Sequence, residues 1–436
     1  MLEYWLIGIF TIILSIIIYI KLKYPFWNIQ PVYHSYDFWR YFSQTPFIIQ
    51  RKLPVKTKFY DNKHVETLDF SDMKDFHMTR LIDLLQCHYL KSEKMLFTIA
   101  KEAIEPLFIG HSHPCYVSFF NEVGFNEVCN ETREKVQHYP PGIPEGRGGG
   151  KGEPWVPPEK VEPIGSITSR PILLYLRAEN QFYNIYFWDL ICINRIDIPK
   201  NIDRNLIQTH EYNQRFRNLD ISASLLKKEA PLHEGVVPLV EFTTSIFLLR
   251  SKIVGPRLPP HHFLTNVESK NASDIYDFIN EMRTNKSIAV YPELGSIFSL
   301  LKFNQIFIYA LKCKDVILGL YFFRNSNMLY EEGGQMLECI SSLWNPSVYQ
   351  NFQDGIKKNM FFIGFLLALK QAVEHGKNDK IQYKFIKFNR LGDSLTILDK
   401  WKQKYAPVHE TQAAYYLYNM VVPGMPLEVQ DCFILS

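Results

Sequence analysis

Neither sign of charge dominates this chain. Its 48 Lys and Arg stand against 45 Asp and Glu, a formal net charge of +3. The basic residues are scattered, so the electrostatic footprint of a nucleic-acid partner is missing and none is expected. Cysteine is sparse and unpatterned. Cys87, Cys115, Cys129, Cys192, Cys313, Cys339 and Cys432 lie far apart, odd in number and without a Cys-x-x-Cys pair. That spacing excludes a disulfide framework and a zinc site, fits a reducing compartment, and leaves each thiol as a small core hydrophobe. No metal is expected. No small-residue cleavage site follows the apolar N-terminus, which excludes a cleaved signal peptide. Sequons at Asn130 and Asn271 would matter only if the body faced a lumen.

Aromatic residues, by contrast, make up 15% of the chain, a composition suited to long apolar grooves. Its 436 residues fit two or three domains. Residues 2–20 are nearly all apolar, with Glu3 the one charge. At 1.5 Å per residue this run approaches the ~30 Å hydrocarbon core, so residues 1–22 are expected to form an uncleaved transmembrane anchor, with a buried N-terminal helix as the alternative. Lys21 and Lys23 flank the run, and the positive-inside rule then places the main body on the cytosolic side.

The remaining pattern alternates helix and strand. A helix is predicted to start near Ser71, with Met73, Phe76, Leu81, Leu84, Leu85 and His88 roughly on one face. Residues 131–163, rich in Pro and Gly, read as a flexible insertion. Residues 171–176 and 183–193 read as a hairpin, 203–216 as a helix and 236–249 as a strand. A second half opens with an amphipathic helix capped near Ser273. Strands near 305–311 and 316–323 follow, then a helix from 360 that Gly376 is expected to stop, then a strand at 381–388. Two stretches echo each other: Gly165 and Gly319 each precede a strand that carries an arginine, Arg170 and Arg324. The echo hints at duplication of one α/β unit.

Tyr24-Pro25-Phe26-Trp27-Asn28-Ile29-Gln30-Pro31-Val32 follows the apolar run directly. Its two prolines fix the backbone, so the segment is a ribbon of set shape that presents Phe26 and Trp27 either to the core or to a ligand. It resembles the acyl-CoA-binding ribbon of N-myristoyltransferases, Tyr-x-Phe-Trp-x-Thr-Gln-Pro-Val, with Ile29 in place of Thr. Further resemblances follow in the family's order: Gly165-Ser166-Ile167, Asp189-Leu190-Ile191-Cys192-Ile193, Phe242-Thr243-Thr244-Ser245, Phe388-Asn389-Arg390-Leu391 and Tyr415-Tyr416-Leu417-Tyr418-Asn419. Together they cover roughly residue 23 to the C-terminus.

The resemblance implies a mixed α/β fold of two fused GNAT-like halves with pseudo-two-fold symmetry. Residues 23–255 would bind myristoyl-CoA as acyl donor, and residues 256–436 an N-terminal-glycine peptide or protein. It implies N-acyltransferase activity, moving a myristoyl group to the glycine amine. Tyr24, Phe26, Trp27 and Lys200 would bind the acyl-CoA. The backbone N–H groups of Leu190 and Ile191 would hold the thioester oxygen, and the α-carboxylate of Ser436 would act as base. Thr243, His261 (or His262) and Tyr416 would contact the peptide. Departures are plain. The family's Arg-rich phosphate loop corresponds to Ile198-Pro199-Lys200-Asn201-Ile202-Asp203, and its glycine-rich peptide loop lacks its glycines around Lys404 to Thr411. A catalytically inactive acyl-binding or membrane scaffold protein, and an acetyl-CoA-dependent enzyme, therefore stand as alternatives.

Overall fold

The computed structural model describes residues 2–37, 40, 42–90, 95–122, 162–194, 201–229, 235–249, 253, 257–331, 333–345, 347 and 354–436. Lys200 and nearly all of the 131–163 insertion lie outside them. Among the described residues the strands, in chain order, are β1 (Phe47–Ile48), β2 (Val65–Asp69), β3 (Met95–Phe97), β4 (Tyr116–Asn121), β5 (Pro163–Leu176), β6 (Gln181–Ile193), β7 (Ser224–Glu229), β8 (Val240–Leu248), β9 (His262–Asn266), β10 (Ile288–Tyr291), β11 (Phe307–Cys313), β12 (Val316–Tyr330), β13 (Gln335–Trp344), β14 (Tyr383–Asn389), β15 (His409–Tyr418), β16 (Met420–Val421) and β17 (Cys432–Ile434). All but β1 and β16 belong to one sheet, whose main path runs β17-β10-β5-β6-β7-β15-β8-β14-β13-β12-β11-β9.

The order contains one unit twice. In the first half β2-β4-β5-β6 is antiparallel, and β6 then runs parallel to β7 across the helix Ile202–Arg217. In the second, β9-β11-β12-β13 is antiparallel, and β13 runs parallel to β14 across the helix Asp354–Asn378. A parallel pair needs such a crossover, and a helix supplies it. The halves also exchange strands. β3, from the first half, pairs with β12, while β10, from the second half, pairs with β5. The weak Gly…Arg echo thus marks equivalent long strands, β5 and β12.

Alternation along each strand divides the core. Tyr415 and Leu417 of β15 join Phe187 and Leu225 on one face, and Ala414, Tyr416 and Tyr418 join Trp188 and Leu226 on the other. Two expectations need correction. First, among the described residues no helix is long and apolar enough to cross a membrane. The N-terminal helix Leu2–Lys23 exists, but it does not meet that condition, so the expected transmembrane anchor over residues 1–22 is not retained. Second, Gly376 does not end its helix, which continues to Asn378. A Cβ there would run into the Tyr383 ring, so the glycine serves close packing; the chain turns instead at Lys380, φ +62°.

Candidate active site at the divergence of β6 and β7

The ribbon and the Tyr-Tyr-Leu-Tyr-Asn segment, far apart in sequence, form one joint. Tyr418 Oη donates to Gln30 Oε1 at 2.5 Å, and Asn419 N–H donates to the Pro31 carbonyl at 2.6 Å. Gln30 Nε2 in turn donates to Gln208 Oε1 at 3.0 Å, on the helix Ile202–Arg217. Phe26 is buried edge-on against Trp27 and Phe59. Phe26, Trp27, Ile191, Tyr416 and Trp188 share one apolar cluster, with Ile202 and Leu206 of the same helix. Tyr24 lies beside it, its ring facing Gly235.

Ile191 belongs to a break in β6. Ser166 pairs with Cys192 but Thr168 pairs with Asp189, so Leu190 and Ile191 bulge opposite Ile167. Leu190 takes φ +48°, a left-handed conformation that a γ-branched side chain adopts only under local constraint. Its N–H donates to Asp189 Oδ1 at 2.9 Å. Just before the bulge, the parallel pairing of β6 with β7 stops at Trp188 and Leu226. Beyond that point the two strands part, with Asp189 on one side and Lys227 on the other.

Into the opening project alternating charges from four strands. Lys227 and Lys387 Nζ lie 3.7 and 3.3 Å from Glu229 Oε1. Lys387 Nζ is also 3.5 Å from Glu338 Oε1, and Arg324 Nε donates to Glu338 Oε2 at 2.8 Å. Arg324 Nη1 then donates to a Ser436 α-carboxylate oxygen at 3.0 Å, while Ser436 Oγ pairs with Tyr415 Oη at 3.0 Å. β17 delivers this tail. It runs parallel to β10, and Phe433, Ile434 and Leu435 are buried. Burial works against the charge on Glu338, but Arg324, Lys387 and Lys227 outweigh it and hold the carboxyl well below its usual range. Lys227 has no such surplus: burial, reinforced by Lys387, pulls it down to about 8.

The structure therefore brings Leu190, Ser436 and the charged belt to the opening, with Phe26, Trp27, Ile191 and Tyr416 packed together beside it. It leaves two expected residues elsewhere. Thr243 sits on β8, where it pairs with Gln412; the strand flanking β6 is β7. His261 lies in an exposed turn, φ +63°, before β9 at the far end of the sheet. The belt residues Lys227, Glu229, Glu338 and Lys387 had no local sequence signal; only Arg324 had one, through the echo.

No family model and no curated protein sequence matches the chain. Solved structures do. The crystal structure of Saccharomyces cerevisiae N-myristoyltransferase with bound myristoyl-CoA superposes with a TM-score of 0.63 at 11% identity, covering 94% of this chain and 99% of that one. A structure of the same yeast enzyme with myristoyl-CoA and inhibitors gives 0.62 at 12% identity, covering 92% of each chain. The fold is that of N-myristoyltransferase.

Proposed function

We propose that this protein transfers a long-chain acyl group, myristoyl, from acyl-CoA to the N-terminal glycine amine of acceptor peptides or proteins. The observation that carries the reading is the bulge at Leu190, set where β6 and β7 diverge. A thioester lying in that opening would meet main-chain donors on one strand and ionisable groups on the other. The first half would hold acyl-CoA, its alkyl chain against the apolar side around Phe26, Trp27, Ile191 and Tyr416. Burial at about 25 cal/mol per Å2 of apolar surface supplies the affinity for such a chain. The CoA phosphates would lie at the N-terminus of the helix Ile202–Arg217. The second half would present the glycine.

The amine attacks the thioester carbon, a C–N bond forms and the carbonyl pair moves onto oxygen. Collapse breaks the C–S bond and releases CoA as thiolate. The proton lost from nitrogen passes to a carboxylate at the opening, with Ser436 in that role, and ends on the thiolate or solvent. A glycine α-amine, with pKa about 7.7–8.0, needs only a weak base. A second reading, acyl binding without turnover, is favoured by the Asp189 carboxylate sitting on the Leu190 amide. Incubation with myristoyl-CoA and a panel of Gly-started peptides, followed by mass spectrometry, separates the two. Acylated peptide supports transfer; tight acyl-CoA binding by calorimetry with no product across the panel supports the second reading.

A further inference from the structure

Arg170 is a buried charge that its neighbours satisfy poorly among the described residues. It lies on β5 directly opposite Phe187, two residues past Thr168, which faces Asp189. Its side chain is 3% exposed. Nε finds no hydrogen-bond partner among the described residues, and the guanidinium leans on the Phe187 ring at 5.1 Å. The nearby carboxylate is that of Asp189, whose Oδ2 stands 3.9 Å from Nη2, beyond hydrogen-bond reach. A buried guanidinium left this way has a donor unused at Nε, and burying such a charge is costly unless an anion completes it. Its equivalent on β12, Arg324, is completed by Glu338 and Ser436.

Asp189 shows where the missing anion goes. Its Oδ1 accepts from the bulge amide of Leu190 at 2.9 Å while Oδ2 faces Arg170. One small anionic group thus lies between a main-chain N–H and a guanidinium. Asp189 is also the more exposed partner, with 29% of its side chain accessible. Its carboxylate thus borders solvent, whereas Arg170 is enclosed.

We propose that Arg170 and the Leu190 N–H form a single anion-binding site, held closed by the Asp189 carboxylate, whose ligand during acyl transfer is the thioester oxygen as it becomes negative. This rests on the acyl-transfer reading and names a catalytic residue for it. When the amine adds to the carbonyl carbon, the displaced electron pair resides on that oxygen. Asp189 swings out, the oxygen takes its place, and collapse to the amide expels the CoA thiolate and restores a neutral carbonyl. A cationic donor beside a main-chain one suits a site whose backbone amide must first shed a competing carboxylate.

Two measurements test this. In the first, kcat and KM are compared for wild type, Arg170→Met and Arg170→Lys. The site predicts a kcat loss of about 10²–10³-fold in Arg170→Met with KM little changed, and partial recovery in Arg170→Lys. A kcat within twofold of wild type, or a loss confined to the KM of acceptors that carry their own carboxylate, overturns it. The second measurement needs no turnover. Acetate binding followed by 13C NMR is compared in Asp189→Asn and in Asp189→Asn/Arg170→Met, with thermal unfolding confirming that both fold. At least tenfold weaker binding in the double variant is expected, and equal binding overturns the site. Wild type that lacks all turnover while the acetate difference persists would refute acyl transfer and leave the anion site standing.

Discussion

At the scale of single residues, buried titratable groups set how this protein responds to pH. His210 is fully buried; its Nδ1 pairs with Ser118 Oγ at 2.8 Å and its Nε2 has no partner among the described residues. Burial lowers its pKa from 6.5 to about 3. The unfolded chain therefore binds a proton that the native state refuses between those two values. Stability attributable to this ring is present above pH 6.5 and lost as pH falls toward 3. At pH 5 the loss is about 2 kcal/mol relative to pH 7. Urea unfolding at both pH values should show a smaller drop in His210→Gln than in wild type. An identical drop would mean that the native ring accepts the proton. His77, lowered to about 4 by burial and by Arg80 and Lys74, adds a second contribution of the same sign.

At the scale of elements, Gly376 offers a sharp test because its neighbours assign it a different duty from the one its position near a helix end implied. Gly376→Ala should destabilise the protein by about 1–3 kcal/mol through the clash with Tyr383. Trimming the ring in Gly376→Ala/Tyr383→Leu should show positive coupling between the two sites in a double-mutant cycle; strict additivity would mean that the ring is not what the methyl meets. The same case shows which parts of the fold were legible. The helix expected at 203–216 is Ile202–Arg217, and the hairpin expected at 171–176 and 183–193 is the core of β5 and β6. Their signals, apolar period and turn residues, are local. Gly376 was misread because glycine near a helix end has two physical uses, and only a neighbour distant in sequence decides between them. The start near Ser71 was misplaced for a related reason: Asp69 caps a short 3-10 turn there, and the helix proper begins at Asp75. The charged belt was largely illegible, since Lys227, Glu338 and Lys387 meet Arg324 only through the pairing of separate strands. Thr243, named as a peptide contact by resemblance of a short motif, lies on β8 opposite Gln412, while the strand beside the bulge carries Leu226 and Lys227.

At the scale of the whole molecule, the exchanged strands should make the two halves unfold as one cooperative body. Each half completes the other's longest strand, β10 on β5 and β3 on β12. β10 also carries β17, and with it Ser436. Ala289 on β10 is fully buried and pairs with Tyr175 on one side and Phe433 on the other. Ala289→Pro removes a ladder donor from a buried strand and, by leaving its acceptor unpaired, should cost about 1–3 kcal/mol. Denaturation followed by both fluorescence and circular dichroism should stay a single coincident transition in wild type. Two separated transitions would show that the halves fold independently despite the exchange.

Acyl transfer to an N-terminal amine is most directly read from CoA thiol release. Myristoyl-CoA is supplied with the protein and a Gly-started peptide, and in parallel with the same peptide acetylated at its N-terminus. The account predicts sustained thiol release with the free amine and background release with the blocked one. Equal release in both, or none in either while myristoyl-CoA binds, would contradict it.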